Sequence, residues 1–274
     1  MTTAPFRVAL AQMVSTPKVA ENLDAAARLV AEAAQQGARL IALPEYFCIL
    51  GMRDTDKVAA REKDGAGPIQ EFLSATARRH GVWLVGGSVP LECADSSRVR
   101  NSCLIYDSQG RRVARYDKIH LFGLELGTER FDEGRTIEAG DTPCAIDSPF
   151  GRIAVSVCYD VRFPELYRAL APMDIILVPS AFTATTGRAH WEALLRARAI
   201  ENLAWVLAPA QGGTHPNGRQ THGHSMIVDP WGKVVAERTT GAGVVVADID
   251  PAFQAQVRKS LPALTHRVLP GRGS

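Results

Sequence analysis

Short apolar runs rich in branched residues alternate with segments of helical periodicity along this 274-residue chain, and that alternation restricts the fold more than any other feature. Residues 6–13 read as a buried strand. Residues 21–36 follow as a helix, with Leu23, Ala26, Ala27, Val30 and Ala34 at helical spacing and Gly37 as its stop. A strand over 40–43 comes next. A second helix starts near Pro68, buries Ile69, Phe72, Leu73 and Ala77, and stops before Gly81, and a strand covers 82–86. The pattern then changes: 103–106 and 112–116 flank a turn containing Gly110 and predict a hairpin, and 145–157 predicts another, turning at Gly151. Helix and strand alternate again through helix 164–170, strand 174–180, helix 189–202 and strand 204–208. A last hairpin turns at 229–232, and a strand over 244–249 closes the series. Strands joined by helices, with hairpins between them, predict an α/β fold in which one or two mixed sheets carry helices on one face.

Three of these strands end on side chains with chemistry. The run 153–157 stops at Cys158, and Pro164 stands at the first turn of the following helix, where a helix N-terminus could stabilise a thiolate. The run 40–43 is broken by Pro44 and followed directly by Glu45. The strand after the first hairpin ends at Lys118. Taken singly, each has a plain reading: a small buried cysteine, a helix-capping carboxylate, a surface lysine at a hairpin end. Together they supply a nucleophile, a carboxylate and an ammonium at strand ends, where ligands collect in α/β proteins, and that set suits covalent acyl transfer.

Leu-Pro-Glu45, Asp-Lys118-Ile-His-Leu-Phe122 and Val-Cys158-Tyr-Asp-Val-Arg-Phe-Pro-Glu165 resemble, in that order, the motifs of the nitrilase superfamily of carbon–nitrogen hydrolases. The resemblance runs from Arg7 to about His266. It implies a four-layer α-β-β-α sandwich of two mixed sheets, residues 1–274 as one hydrolase domain with its core over about 5–250, and a C-terminal tail over 251–274. It also implies catalysis by Glu45, Lys118 and Cys158. Glu45 would act as general base for both formation and hydrolysis of a thioester. Lys118 and the Tyr159 N–H would stabilise the oxyanion. Aligning Phe131-Asp-Glu133 with the family nominates Glu133 as a second carboxylate, although the departing loop at 123–129 makes Glu129 a competitor.

The segments 179–187, 190–192 and 196–202 resemble the small ω-amidases, and Gln211 with the run 223–232 resembles the deaminated glutathione amidases. The implied substrate is a small carboxylated amide: deaminated glutathione, which would release cysteinylglycine, or α-ketoglutaramate. A nitrile, a carbamoyl compound or an acyl acceptor remain alternatives within the fold, and an inactive interaction module is the alternative outside enzyme chemistry. Arg162 is the expected cation for the substrate carboxylate unless it pairs with Asp160 or Glu165, and Thr185 and Thr186, read as turn residues before Gly187, offer hydroxyls. Phe182 completes the expected substrate contacts. Arg196 and Arg198 are expected to pair with Glu192 or Glu201 along their own helix.

Composition removes other classes. The chain is 46% apolar and 22% charged with a formal charge of +2, and its basic residues are scattered, so no nucleic-acid partner is expected. No apolar run reaches the ~18 residues that span a bilayer. Five cysteines at irregular spacing, with no leader at the first residues, predict reduced thiols and a cytoplasmic location. His215, His222 and His224 lack neighbouring cysteines or a suitably spaced carboxylate, and 65–68 lacks the setting of a phosphate loop, so no metal or cofactor is expected. The family resemblance implies a homodimer or larger homo-oligomer, with helix 164–170 as a candidate interface.

Overall fold

Alternation along the first strand shows how the layers are built. In the computed structural model, which describes residues 4–127 and 129–268, β1 (Phe6–Gln12) sends Val8 and Leu10 to one side and Ala9 and Ala11 to the other, all buried. The chain continues through α1 (Val19–Gln35), β2 (Leu40–Ala42), the single turn α2 (Asp56–Ala59), α3 (Pro68–His80), β3 (Trp83–Val85), β4 (Val89–Glu92), β5 (Val99–Tyr106) and β6 (Arg112–Asp117). A small hairpin comes next, β7 (Gly123–Leu126) and β8 (Glu129–Asp132). The second half runs β9 (Cys144–Ser148), β10 (Gly151–Val155), α4 (Pro164–Leu170), β11 (Ile175–Leu177), α5 (Ala184–Asn202), β12 (Trp205–Ala208), β13 (Ser225–Val228), β14 (Val234–Arg238), β15 (Gly243–Ile249) and α6 (Pro251–Ser260).

Two mixed sheets result. The first has the order β15-β1-β2-β3-β5-β4, with β6 on the free edge of β5, and β1, β2 and β3 are parallel. The second has the order β14-β13-β12-β11-β10-β9, with β10, β11 and β12 parallel. Val8, Leu10, Leu40, Val85 and Ile105 of the first sheet share one apolar core with Ile153, Ile175, Val206 and Ile227 of the second. On the far side of the first sheet Ala9, Ile41 and Leu84 pack on Val30 of α1 and on Ile69 and Leu73 of α3. Leu166 and Tyr167 of α4, with Trp191, Leu195 and Ala199 of α5, cover the second sheet. This is the four-layer α-β-β-α sandwich.

Several sequence expectations need correction. Helix α5 begins at Ala184 rather than near 189, because Thr183 caps it by accepting the Thr186 N–H at 3.2 Å. Gly187 is therefore inside the helix, where an added Cβ would lie 2.2 Å from the His222 ring. Residues 251–260 of the expected tail form α6, whose Gln254 donates to the carbonyls of Asp174 and Leu203 at 3.0 Å each. The expectations for residues 1–3 and for the end of the tail lie outside the described residues. Strand β4, α2 and the β7–β8 hairpin carry no clear signal in the sequence.

Candidate active site

The parallel strands of both sheets end at one place. Beyond β2, Leu43 still donates to the Val85 carbonyl at 2.9 Å, and Pro44 then turns the chain so that Glu45 points between the sheets. Gly87 makes room for that turn: at φ +51, an added Cβ would lie 2.0 Å from the Pro44 carbonyl oxygen. Tyr46 takes φ 57, and its N–H donates to Ser88 Oγ at 2.9 Å. Glu45 is 1% exposed. Its Oε1 accepts from Asn101 Nδ2 and Lys118 Nζ, each at 2.9 Å, and its Oε2 accepts the Ala181 N–H at 3.0 Å.

Lys118 follows β6 directly and is fully buried. Its ammonium lies between two carboxylates, 2.9 Å from Glu45 Oε1 and 2.8 Å from Glu133 Oε2. Glu133 in turn accepts from the Tyr46 hydroxyl at 2.8 Å and the Phe122 N–H at 2.7 Å. Burial alone would lower the Lys118 pKa, but the charges of Glu133 and Glu45 outweigh it and hold the ammonium well above its ordinary range. Burial likewise opposes the Glu133 charge, yet Lys118 and the donors around it keep the carboxyl below its usual value. Glu129 instead accepts from the Thr185 hydroxyl at 3.0 Å, so of the two competing carboxylates it is Glu133 that meets the lysine.

Cys158 opens a 3₁₀ turn (Cys158–Arg162) after β10, at φ 53, a left-handed conformation that costs a non-glycine residue of order 1–3 kcal/mol. Two anchors hold it there. Its N–H donates to the Pro179 carbonyl at 2.9 Å. Asp160, fully buried, accepts the Val157 N–H at 2.8 Å, the Tyr116 hydroxyl at 2.7 Å and the His120 N–H at 3.0 Å. The cysteine turn is thereby tied to the end of the strand that carries Lys118. Cys158 is 7% exposed, and burial followed by the negative charge of Glu45 pushes its thiol pKa well up, with Lys118 offsetting only part. The sequence suggested a thiolate stabilised by a helix N-terminus. The cysteine instead opens a five-residue turn, where burial and the Glu45 charge disfavour the thiolate.

Above these groups lies a narrow cleft whose walls include Phe122, Tyr159, Phe182, Thr186 and two arginines. Tyr159 is the second residue of the turn, where backbone N–H groups have no acceptor within the turn. Arg162 pairs with neither Asp160 nor Glu165. Its guanidinium lies over the rings of Tyr159 and Phe182, and one end reaches His190 Nδ1 at 3.2 Å. Thr186 lines the cleft, whereas Thr185 is turned away to Glu129. Arg196 and Arg198 pair with Glu192 and Glu201, as the helical spacing suggested.

Tyr46 and Asn101, which hold the two carboxylates, and Ala181 and Arg219, which line the cleft, escaped the sequence reading. Tyr46 adjoins Glu45 in the same motif, and that adjacency was a usable signal. Asn101 reaches Glu45 across 56 residues, and nothing local marks it. His215, which the sequence grouped with two other histidines, is buried, with Nδ1 at 2.9 Å from the Ser15 carbonyl and Nε2 at 2.8 Å from the Thr221 hydroxyl. His222 and His224 stack on each other, and His224 pairs with Glu237.

The model of the carbon–nitrogen hydrolase family matches residues 7–259. A deaminated glutathione amidase of Synechocystis is 42% identical over 270 residues, 96% of this chain and 98% of that protein. An omega-amidase of Xenopus tropicalis is 36% identical over 267 residues, 96% and 95% of the two chains. Among solved structures, Nit3 of Saccharomyces cerevisiae, a member of branch 10 of the nitrilase superfamily, superposes with a TM-score of 0.87 at 29% identity, covering 97% of each chain.

Proposed function

The chain belongs to the carbon–nitrogen hydrolase family, and we propose that it is a cysteine-dependent amidase acting on deaminated glutathione through Glu45, Lys118 and Cys158. The observation that carries the chemistry is the Glu45 carboxylate, fixed by Lys118, Asn101 and the Ala181 N–H in the same cleft as the Cys158 thiol. A thiol whose ionisation is disfavoured needs a base, and Glu45 is the carboxylate held beside it in the cleft.

Glu45 takes the thiol proton as Sγ attacks the amide carbon. Negative charge develops on the former carbonyl oxygen, and the Lys118 ammonium with the Tyr159 N–H stabilises it; a single such donor typically contributes about 3–4 kcal/mol. The intermediate collapses as Glu45 hands the proton to the departing nitrogen. Cysteinylglycine leaves, and the acyl group remains as a thioester on Cys158. Glu45 then deprotonates a water that attacks the thioester, and the proton returns to sulfur as the acid departs. Glu133 keeps its charge throughout and holds the lysine with Tyr46 and the Phe122 N–H.

The choice of substrate rests on the likeness of Gln211 and the 223–232 segment to deaminated glutathione amidases, on the 42% relative of that name, and on an Arg162 guanidinium that lines the cleft without an acidic partner. The 36% relative supports the second reading, an omega-amidase. Steady-state kinetics on deaminated glutathione, α-ketoglutaramate and a simple nitrile, with Cys158→Ala as blank, separates them. The proposal expects the highest kcat/KM on deaminated glutathione. A preference for α-ketoglutaramate overturns the substrate, activity on the nitrile alone overturns the substrate class, and no thiol-dependent turnover at all leaves an interaction module.

A further inference from the structure

Buried charges in folded proteins are paired, because an isolated one loses its hydration without compensation. At the cleft above Cys158, the half-buried Arg219 has a buried Nε that lacks such a partner. This residue lines the cleft, its guanidinium lies 5.2 Å from the centre of the Phe131 ring, and its Nη2 donates to the Ala181 carbonyl at 3.0 Å. Its Nε is buried with no hydrogen-bond partner, and among the described residues no carboxylate pairs with it. Solvation by aromatic stacking and one carbonyl leaves a permanently charged donor available for an anion.

The loop that presents it is built rigidly. The Arg219 N–H donates to Asn217 Oδ1, and the His215 N–H to the Arg219 carbonyl, both at 2.9 Å. Asn217 reaches back to the Gly51 carbonyl at 2.7 Å, Thr214 bridges to Gln220, and Thr221 bridges to Thr183. The buried His215 pins the loop base to Ser15 and Thr221. The histidine that the sequence grouped with His222 and His224 thus anchors an arginine.

Position decides which part of a substrate Arg219 meets. Arg162 belongs to the turn of the nucleophile and lies over Tyr159 and Phe182. Arg219 belongs to the side of the base, since the peptide unit it holds through the Ala181 carbonyl is next to the N–H that fixes Glu45. Glu45 must approach the departing nitrogen to protonate it, so the departing fragment lies on the same side as Arg219. We propose that Arg219 reads a carboxylate on the departing amine, making the enzyme selective for amides whose leaving group is itself an acid. This rests on the reading of Glu45 as the proton donor to the leaving nitrogen.

The test uses two amides with one acyl group, 4-carboxy-4-oxobutanoyl-glycine and 4-carboxy-4-oxobutanoyl-glycinamide, which differ only in the charge at the far end. Their binding to Cys158→Ala is measured by calorimetry, and their hydrolysis by the wild-type protein is measured separately. The glycine amide is expected to bind about ten- to a hundredfold more tightly, as a charge-assisted hydrogen bond would give. In Cys158→Ala/Arg219→Gln that ratio should fall to about threefold or less, and Arg219→Lys, which keeps a point charge without the planar fork, should retain part of it. Equal binding of the two amides to Cys158→Ala overturns the proposal without needing any Arg219 variant. So does an Arg219→Gln loss that falls equally on both amides, which would mark a role in holding Ala181 only. Preferential binding without wild-type turnover would overturn the amidase reading and leave the Arg219 subsite standing.

Discussion

The floor of the cleft and its rim are built on opposite principles. On the floor the charged groups find their partners within the chain: Lys118 meets Glu45 and Glu133, Asn101 and the Ala181 N–H donate to Glu45, and Tyr46 and the Phe122 N–H donate to Glu133. Around the rim, Arg162 Nε and Arg219 Nε are buried with no partner. Buried polar groups in a folded protein are almost always satisfied, so orphans gathered around one cleft are informative. The floor is finished before any ligand arrives, as preorganised electrostatics requires. The rim is finished by what binds there. Chemistry is therefore written in contacts the chain makes with itself, and specificity in contacts it leaves open.

Perturbing the floor should give the largest effects. Cys158→Ala is expected to lower kcat by at least about 10⁴-fold, because the nucleophile is lost outright, while the urea midpoint stays close to that of the parent. Substantial residual hydrolysis would remove the cysteine from the mechanism. Lys118→Met leaves two carboxylates facing each other without a cation, and breaking a buried pair in this way costs about 3–5 kcal/mol of stability by urea titration. A cost below about 1 kcal/mol would show that the floor relaxes or takes up protons instead.

The resting thiol gives a pH prediction for the free enzyme. Burial and the Glu45 charge raise the Cys158 pKa well above its ordinary value, so alkylation by iodoacetamide should keep accelerating up to and beyond pH 9. A plateau already reached below pH 7 would reveal a standing thiolate–lysine pair. The smallest effect belongs to His222, behind the rim. Burial, then the charges of His224 and Arg188, pull its pKa from 6.5 down to about 4. Between those values the unfolded chain binds the proton and the folded one does not, so stability rises with pH across the window and is lost as pH falls through it. His222→Asn should flatten the dependence of the urea midpoint on pH between 4 and 6.5. An unchanged slope would assign the acid sensitivity to other groups.

The same division between floor and rim explains what the sequence disclosed. Glu45, Lys118 and Cys158 each come just after a strand, so each is marked locally by an apolar run that ends on a reactive side chain. Glu133 was reached through its neighbours Phe131 and Asp132. Arg219 has no such mark: it sits in a polar loop, and its surroundings are Phe131 and Ala181, residues that only folding brings to it. Asn101 is silent for the same reason. Helix α5 shows how a local signal misleads. Threonines before Gly187 read as a turn, yet the glycine is helical and its missing side chain leaves room for His222, far along the chain. The sheets were legible because strand burial is a periodic pattern, whereas α6 buries only Gln254 and Val257 and so looked like a tail.

The central claim is that Cys158 carries the acyl group between two half-reactions governed by one base. The most direct measurement is acid-quenched mass spectrometry of the protein during turnover of deaminated glutathione, with peptide mapping of the quenched samples. The account predicts a transient mass increase equal to the acyl fragment, confined to the peptide containing Cys158 and absent from Cys158→Ala. An adduct on Cys48, Cys93, Cys103 or Cys144, or rapid turnover with no adduct on any peptide at any quench time, would contradict it.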